Sequence, residues 1–246
     1  MIKKLTARLG DFGFLVFRVG QSSRFIFHDR KRLIYHLDAL GVNSLPLVLI
    51  VGFFSGGIIA WQAAAQFRGM ISLDVMGGQT MRVILMEMGP VLTALVISGR
   101  LGASMTAEIG AMKITEQVDA LRVMGIDPIR FLVLPRVVAL AIMMPILTFF
   151  ANLMAIFGSY LVSDYFLDLS YQTFFSSAKS FFHLADLLGG LFKSLIFGLL
   201  ISFVGCLMGL RAEGGASGVG NSTIQSFVIC AICVLVSDFC LWLILF

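Results

Sequence analysis

The chain has 246 residues, of which 59% are hydrophobic and 13% are charged, and its mean hydropathy is +0.97. Because a soluble domain carries about a quarter charged residues, this composition excludes a water-soluble globular protein. The formal net charge of +4 does not indicate nucleic-acid binding, since the basic residues flank long apolar segments and report membrane orientation instead. We therefore predict an all-α polytopic membrane protein with one domain, residues 1–246, and no nucleic-acid partner.

The first 40 residues carry too many charges to cross a bilayer, but their apolar residues recur at helical spacing. One helical face is formed by Leu5, Leu9, Phe12, Val16 and Val19. This pattern predicts a cytoplasmic interfacial helix within residues 1–40, with its arginines toward the lipid headgroups. A helix packed on the rest of the protein fits the same pattern, and the two arrangements can coexist.

Five apolar segments follow, and each approaches the length of about 20 residues that a helix needs to cross the hydrocarbon core. The predicted transmembrane spans are 47–65, 83–112, 137–163, 187–210 and 223–246. Between the third and fourth spans, Ser170 is a candidate N-cap for a short amphipathic helix within residues 165–185. Small residues that allow helices to approach closely recur at Gly52, Gly56, Gly57, Gly205 and Gly209.

The lysine and arginine residues indicate how the chain is oriented. They are concentrated before the first span and between the second and third spans, whereas the opposite side carries only Arg68, Arg82 and Lys179. By the positive-inside rule, the N-terminus and the loop between the second and third spans are cytoplasmic. Five spans then place the C-terminus and the helix within residues 165–185 on the periplasmic side.

Residues 113–128, in the loop between the second and third spans, predict a short amphipathic helix. Its apolar face is formed by Ile114, Val118 and Leu121. Its charged face contains Lys113, Glu116, Asp119 and Arg122. Gly125 and Asp127-Pro128 end the helix and turn the chain back. Such a helix can dock in a groove on a partner protein, or it can be a solvated connector.

Charged residues inside the spans predict ion pairs, because an unpaired charge near the bilayer centre costs about 3 kcal/mol. Lys193 in the fourth span and Asp238 in the fifth lie at matching depth, so we predict that they form an intramembrane ion pair. The alternative is that Lys193 extends to the membrane surface. Arg100 and Glu108 are two turns apart on the second span, so we expect them to bond to neighbouring helices or to the loop rather than to each other.

The sequence carries no motif for catalysis, ATP binding or metal binding. The histidines, His28, His36 and His183, all lie outside the predicted spans, and no GxSxG, HExxH or GxxxxGK[ST] pattern occurs. The cysteines are expected to pack within the late spans, at Cys206, Cys230, Cys233 and Cys240. We therefore predict no catalytic residue, no metal and no cofactor in this chain.

A dense run of motifs extends from the second span into the third. It contains Glu87-Met-Gly-Pro90, Arg100-Leu-Gly-Ala103, Thr106-Ala-Glu-Ile-Gly110, Met112-Lys113, Thr115-Glu-Gln117, Gly125-Ile-Asp-Pro128 and Pro135-Arg136. This run closely resembles the MlaE (YrbE) permease family, and the resemblance covers most of the chain. Members of this family are membrane subunits of ATP-driven lipid transporters that work with MCE proteins.

The resemblance implies that this chain is the permease subunit of an ABC-type phospholipid transporter in a bacterial inner membrane. It implies a homodimer with a lipid cavity at the subunit interface, a separate ABC ATPase that binds ATP and Mg, and a periplasmic MCE lipid-binding protein. A small STAS-domain protein is an optional accessory. The cytoplasmic helix becomes the coupling helix that docks on the ATPase, and its implied contact residues are Lys113, Glu116, Gln117, Asp119 and Arg122.

The same resemblance implies that Glu87 lies on the lipid path. Family members often carry an Arg-Glu pair where this chain has Met86 and Glu87, so the cation of that pair is missing. Arg82 is a candidate substitute, although a spacing of five residues is poor in an α-helix, and Arg100 is a further candidate residue of the path. Two other functions stay open: an ion-coupled secondary transporter and an intramembrane lipid-modifying enzyme.

Overall fold

The computed structural model describes residues 10, 13–21, 30–67 and 75–245. All regular structure in these residues is helical, and five helices are long and apolar enough to cross a membrane. The prediction of an all-α protein with five spans is therefore confirmed. The helices are α1 (13–21), α2 (Lys31–Gln66), α3 (Met76–Ile114), α4 (Gln117–Val123), α5 (Ile129–Leu167), α6 (Tyr171–Phe181), α7 (Leu184–Leu210) and α8 (Gly215–Leu245).

The membrane helices extend beyond the apolar segments that predicted them. Helix α3 begins at Met76 rather than at residue 83, and α8 begins at Gly215, inside what was expected to be a loop. His36, which was expected outside the spans, lies in α2. Apolarity marks only the part of a helix that contacts hydrocarbon, whereas backbone hydrogen bonding continues into the polar interface.

Four π-helical segments lie within the long helices of the described chain, and each contains one charged residue. They are Leu37–Gly41 with Asp38, Ile84–Met88 with Glu87, Ser98–Gly102 with Arg100, and Ile129–Val133 with Arg130. π-helical turns are rare in proteins, and those that occur are often found at functional sites. Their i→i+5 hydrogen bonds change which residues share a helix face. Two of these four charged residues, Glu87 and Arg100, are candidate site residues that the sequence had already named.

The described chain divides into two compact units. Unit 1 contains the described parts of Met1–Asn43 together with Leu95–Met143 and Ile196–Cys240, and unit 2 contains the described parts of Ser44–Ala94 and Leu241–Phe246 together with Met144–Leu195. The dividing points fall inside α2, α3, α5, α7 and α8. Both units therefore contain parts of the same five membrane helices, and a single permease domain stays a prediction.

Unit 1 has an apolar core to which α1 contributes. This core contains Leu15, Val19, Ile109, Val133, Leu134, Val137, Phe203 and Cys206. The opposite side of α1 exposes Phe14 and Phe17. Helix α1 therefore packs on the protein and still presents aromatic side chains outward, as an interfacial helix requires. The remaining residues of the predicted face, Leu5, Leu9 and Phe12, lie outside the described residues.

Unit 2 contains a close contact between α2 and α5, made by glycine. A Cβ on Gly52 would meet the carbonyl of Ala151 at 2.6 Å, and a Cβ on Gly56 would overlap the carbonyl of Ala155. The predicted small-residue packing is thus observed at these two positions. Helix α6 begins as predicted, since the Ser170 Oγ accepts a hydrogen bond from the Thr173 N–H at 3.3 Å.

Candidate functional site

A salt bridge inside the membrane-spanning part of unit 2 joins α7 to α3. Lys193 is fully buried, and its Nζ donates to the Glu87 Oε1 at 2.6 Å. The two helices come close because Gly190, one turn before Lys193, lies where a Cβ would overlap the Leu85 carbonyl. The buried ammonium is therefore held at short range, which offsets its loss of hydration.

Sequence reasoning predicted that Lys193 forms an ion pair but missed Glu87 as a partner. The available signal was Glu87 itself, an acidic side chain in a neighbouring span. The pairing of Lys193 with Asp238 stays a prediction.

A second ion pair joins the same two helices closer to their first residues. The Arg82 Nε lies 3.2 Å from the Asp186 Oδ2. Asp186 is buried at 6% exposure, whereas the Arg82 side chain is 46% exposed. Arg82 was a candidate substitute for the missing cation beside Glu87; the structure pairs Arg82 with Asp186 and Glu87 with Lys193, and the place of Arg82 on a lipid path stays a prediction. Asp186 was missed as a site residue, although an acid at the start of an apolar span was a usable signal.

The π-helical turn Ile84–Met88 explains why Arg82 and Glu87 both face α7. In a regular α-helix, residues five apart point in different directions, which made this spacing look poor. The i→i+5 bonding of a π turn inserts one extra residue and brings such residues toward one face. Helix α3 therefore presents a cation and then an anion to α7, and α7 presents Asp186 and then Lys193 in return.

Unit 1 contains a further ion pair, between α5 and α3, in which the arginine is buried and the glutamate is about half exposed. Arg136 is 3% exposed; its Nη2 lies 2.6 Å from the Glu108 Oε1, and its Nη1 donates to the Leu132 carbonyl at 2.6 Å. Glu108 thus bonds to a neighbouring helix rather than to Arg100, in agreement with the expectation. This pair fixes the end of α3 that leads into the loop between α3 and α5. The place of Arg100 on a lipid path stays a prediction.

The loop after α3 contains a shorter helix than the predicted 113–128. Lys113 and Ile114 belong to α3, the chain turns at Thr115 and Glu116, and α4 covers Gln117–Val123. Glu116 adopts the left-handed conformation with φ 59°, so it ends one helix and starts the next. One continuous amphipathic pattern therefore folds as the end of α3 and a separate α4.

Charged side chains join α4 to the end of α3. Asp119 accepts from the Arg122 Nη1 at 2.7 Å and from the Lys113 Nζ at 3.4 Å. Three of the predicted contact residues are therefore engaged in this local network. Charge reversal at Arg122 would disturb the loop itself as well as any partner.

The apolar residues of the loop form two surfaces. Val118 is fully buried and anchors α4 to unit 1. Val123 is 89% exposed, Met124 65% and Ile126 37%. This outward surface, which we name the loop tip, was not part of the predicted face. Three exposed apolar residues within four positions, at the end of α4 and just after it, are typical of a protein contact.

The far end of the loop is held by the N-terminal part of unit 1. The Arg18 Nη2 of α1 lies 3.4 Å from the Asp127 Oδ2, and the Arg32 guanidinium stacks 3.5 Å from the centre of the Phe131 ring. The other carboxylate oxygen of Asp127 accepts from the Ile129 N–H at 3.0 Å. These contacts therefore hold the residues that follow the loop tip in place.

Unit 2 also contains an apolar groove of about 610 Å³ between α2 and α5. Its lining residues include Phe53, Ile58, Trp61, Val162 and Phe166. This volume is in the range of small-molecule sites, and the aromatic walls suit a hydrocarbon ligand. Among the residues that the structure covers, no three His, Cys, Asp or Glu side chains are grouped as metal ligands.

The comparisons with known proteins decide the family. The sequence model of the family described as "Permease MlaE" matches residues 33–244. The chain belongs to the MlaE permease family.

Several named relatives match most of this chain. A probable ABC transporter permease protein of Rickettsia typhi is 38% identical over 207 residues, which are 84% of this chain and 80% of the relative. One from Synechocystis sp. is also 38% identical, over 87% of this chain and 82% of the relative. The probable ABC transporter permease protein ycf63 of Porphyra purpurea is 36% identical over 92% of this chain and 85% of the relative. This MlaE-family chain is thus a transporter membrane subunit rather than an enzyme, and it requires an ATPase partner.

Proposed function

We propose that this MlaE-family permease moves phospholipid between the bacterial inner membrane and a periplasmic MCE protein, and that a separate ATPase drives it by docking on α4. The observation that carries the proposal is the loop tip, an exposed apolar surface next to the end of α3 that is held in place by contacts with the N-terminal part of unit 1. A movement of α4 caused by the ATPase is passed directly to α3, because Asp119 of α4 bonds to Lys113 at the end of α3. Helix α3 in turn carries Glu87.

Lipid as the cargo is supported by the charges of unit 2. Ionisable side chains are costly inside a membrane and commonly mark substrate paths. Glu87 is 27% exposed beside a buried Lys193, so part of this ion pair remains accessible. The apolar groove between α2 and α5 gives the same unit a surface that suits acyl chains. A second copy of the permease would enclose the lipid cavity.

Transport then follows alternating access with unequal lipid affinity in two states. A ligand shifts a conformational equilibrium only through its different affinity for the states. ATP and Mg bind to the ATPase, and the chain described here supplies the lipid path and the coupling surface. The cytoplasmic N-terminus and periplasmic C-terminus are part of this proposal.

The proposal is tested on the purified complex of permease and ATPase in lipid nanodiscs. Val123→Glu places a charge on the loop tip, and we expect it to lower copurification of the ATPase and phospholipid-stimulated ATP hydrolysis by about tenfold or more. The matched control is Tyr171→Glu, a substitution of a side chain that is 59% exposed on α6. This control should retain both activities.

Two results would contradict the proposal. If the Val123→Glu complex hydrolyses ATP as fast as the unmodified complex, α4 is not the docking site of the ATPase. Lipid movement or lipid modification by the permease alone, without the ATPase, would instead indicate the secondary transporter or the enzyme.

A further inference from the structure

Arg82 is a charged group of unit 2 to which the proposed function gives no role. Its side chain is 46% exposed, and its Nε lies against Asp186. Within the part of the chain that the structure describes, no other group bonds to Arg82, so its Nη1 and Nη2 are open donors. An arginine near the end of a membrane helix extends its guanidinium to the membrane surface, where it meets the anionic groups of lipids.

Asp186 holds the Arg82 guanidinium in position but does not occupy all of its hydrogen-bond donors. This carboxylate is 6% exposed and lies in the first turn of α7, where the helix N-terminus favours negative charge. Its Oδ2 accepts no hydrogen bond from the described residues, so the contact at 3.2 Å is an ion pair without directed hydrogen-bond geometry. The guanidinium therefore stays beside α7 but remains free to turn its two Nη groups toward a ligand.

The donor geometry selects the class of ligand. A guanidinium presents a planar fork that binds two oxygens of one phosphate or carboxylate at once. Arg82 lies six residues after the first residue of α3, which is about 9 Å along the axis, at the end predicted to be periplasmic. At this depth in a bilayer, the abundant anion is the phosphate of a lipid headgroup.

We propose that Arg82 binds the phosphate group of a lipid, with Asp186 as the positioning residue. The proposal rests on the proposed function and names the chemistry that its lipid path recognises. The π turn places this cation on the same helix face as Glu87, at the outer side of the Glu87–Lys193 salt bridge. A phosphate on Arg82 therefore sits at the entrance to the path rather than in its interior.

The test measures lipid binding to the purified permease by native mass spectrometry in detergent. The probes are phosphatidylglycerol and a diacylglycerol with the same acyl chains, which lacks the phosphate. Arg82→Met should weaken phosphatidylglycerol binding about ten- to a hundredfold, the loss expected for one charge-assisted contact, and should leave diacylglycerol binding unchanged. Gln79→Met, which removes an exposed polar side chain one turn earlier, is the matched control and should bind both probes normally.

A double variant separates recognition from structure. Arg82→Met alone leaves the buried Asp186 without its cation, and this can impair folding. Arg82→Met with Asp186→Leu removes both charges and should restore the thermal stability. If the pair is only structural, the double variant binds phosphatidylglycerol normally, and the proposal is overturned. If Arg82 binds phosphate, the double variant is stable and still deficient.

Competition identifies the source of the phosphate. Displacement of phosphatidylglycerol by millimolar inorganic phosphate supports the site and assigns it to the anion alone, whereas resistance to displacement supports a lipid headgroup that also needs its acyl chains. Failure of the proposed function has a different signature, namely an unmodified complex whose ATP hydrolysis responds to no lipid. Equal phosphatidylglycerol binding by the unmodified protein and Arg82→Met overturns the Arg82 proposal alone.

Discussion

Lys193 shows how a single buried charge constrains its surroundings. It is fully buried in a membrane helix, and Glu87 neutralises it at 2.6 Å. Removing one member of a buried pair leaves the other uncompensated, whereas removing both leaves only polar or apolar groups. The stability of α3 and α7 therefore depends on the match between the two residues more than on either charge by itself.

We expect Lys193→Met to lower the free energy of unfolding by about 3 kcal/mol and the double variant Lys193→Met with Glu87→Gln to recover at least half of that loss. Thermal unfolding in detergent, followed by fluorescence, measures both. The same cycle with Asp238→Leu in place of Glu87→Gln tests the partner predicted from sequence. If a double variant loses as much stability as Lys193→Met alone, Lys193 and the second residue changed in that double variant are not coupled.

At the scale of elements, glycine sets how closely α2 and α5 approach. Without a hydrophobic force between helices in lipid, association depends on backbone contact and fit. Gly52 and Gly56 occur four residues apart on α2 and meet the carbonyls of Ala151 and Ala155. The spacing in the sequence predicted close packing, but the partner helix followed only from the three-dimensional contact.

Gly56→Ala should destabilise the protein by about 1–3 kcal/mol, because the new Cβ overlaps the Ala155 carbonyl and the helices must separate. Gly220→Ala is the matched control. It lies within α8 with no atom near its would-be Cβ, and alanine favours the helix, so stability should hold or rise. Thermal unfolding compares the two variants. Equal stability of Gly56→Ala and the unmodified protein would contradict close packing as the reason for this glycine.

The π turns are the second feature of the elements that matters for function. Each of the four segments carries one charged residue, and the turn at Ile84–Met88 aligns Arg82 with Glu87. Periodicity counts from the sequence assume 3.6 residues per turn throughout. They therefore assign the wrong helix face to residues beyond a π turn.

At the scale of the whole molecule, the charge distribution predicts which side of the membrane each loop occupies. Val123 and Tyr171 are both exposed, and one span, α5, lies between them in the sequence. A cysteine at Val123 should react with a membrane-impermeant maleimide only from the cytoplasmic side, and a cysteine at Tyr171 only from the periplasmic side. Labelling of intact spheroplasts and of inverted vesicles measures this. Reaction of both cysteines from one side would contradict a membrane-crossing α5.

The sequence by itself determined the fold class, the five spans, the family, and the presence of a capped helix at Tyr171. These properties depend on apolar run length, local capping chemistry and short motifs, all of which are contained in neighbouring residues. The sequence also showed that Lys193 needs a partner, because the cost of an unpaired buried charge does not depend on the fold.

Only the tertiary structure decided which groups meet. Glu87 and Lys193 are more than a hundred residues apart, Arg82 finds Asp186 rather than Glu87, and the loop divides at Glu116, so that Val123 and Met124 face outward. Each outcome depends on how helices approach and rotate, through a glycine contact, a π turn or a left-handed residue. Pairing across helices is set by that geometry, and no local pattern in one helix contains the position of another.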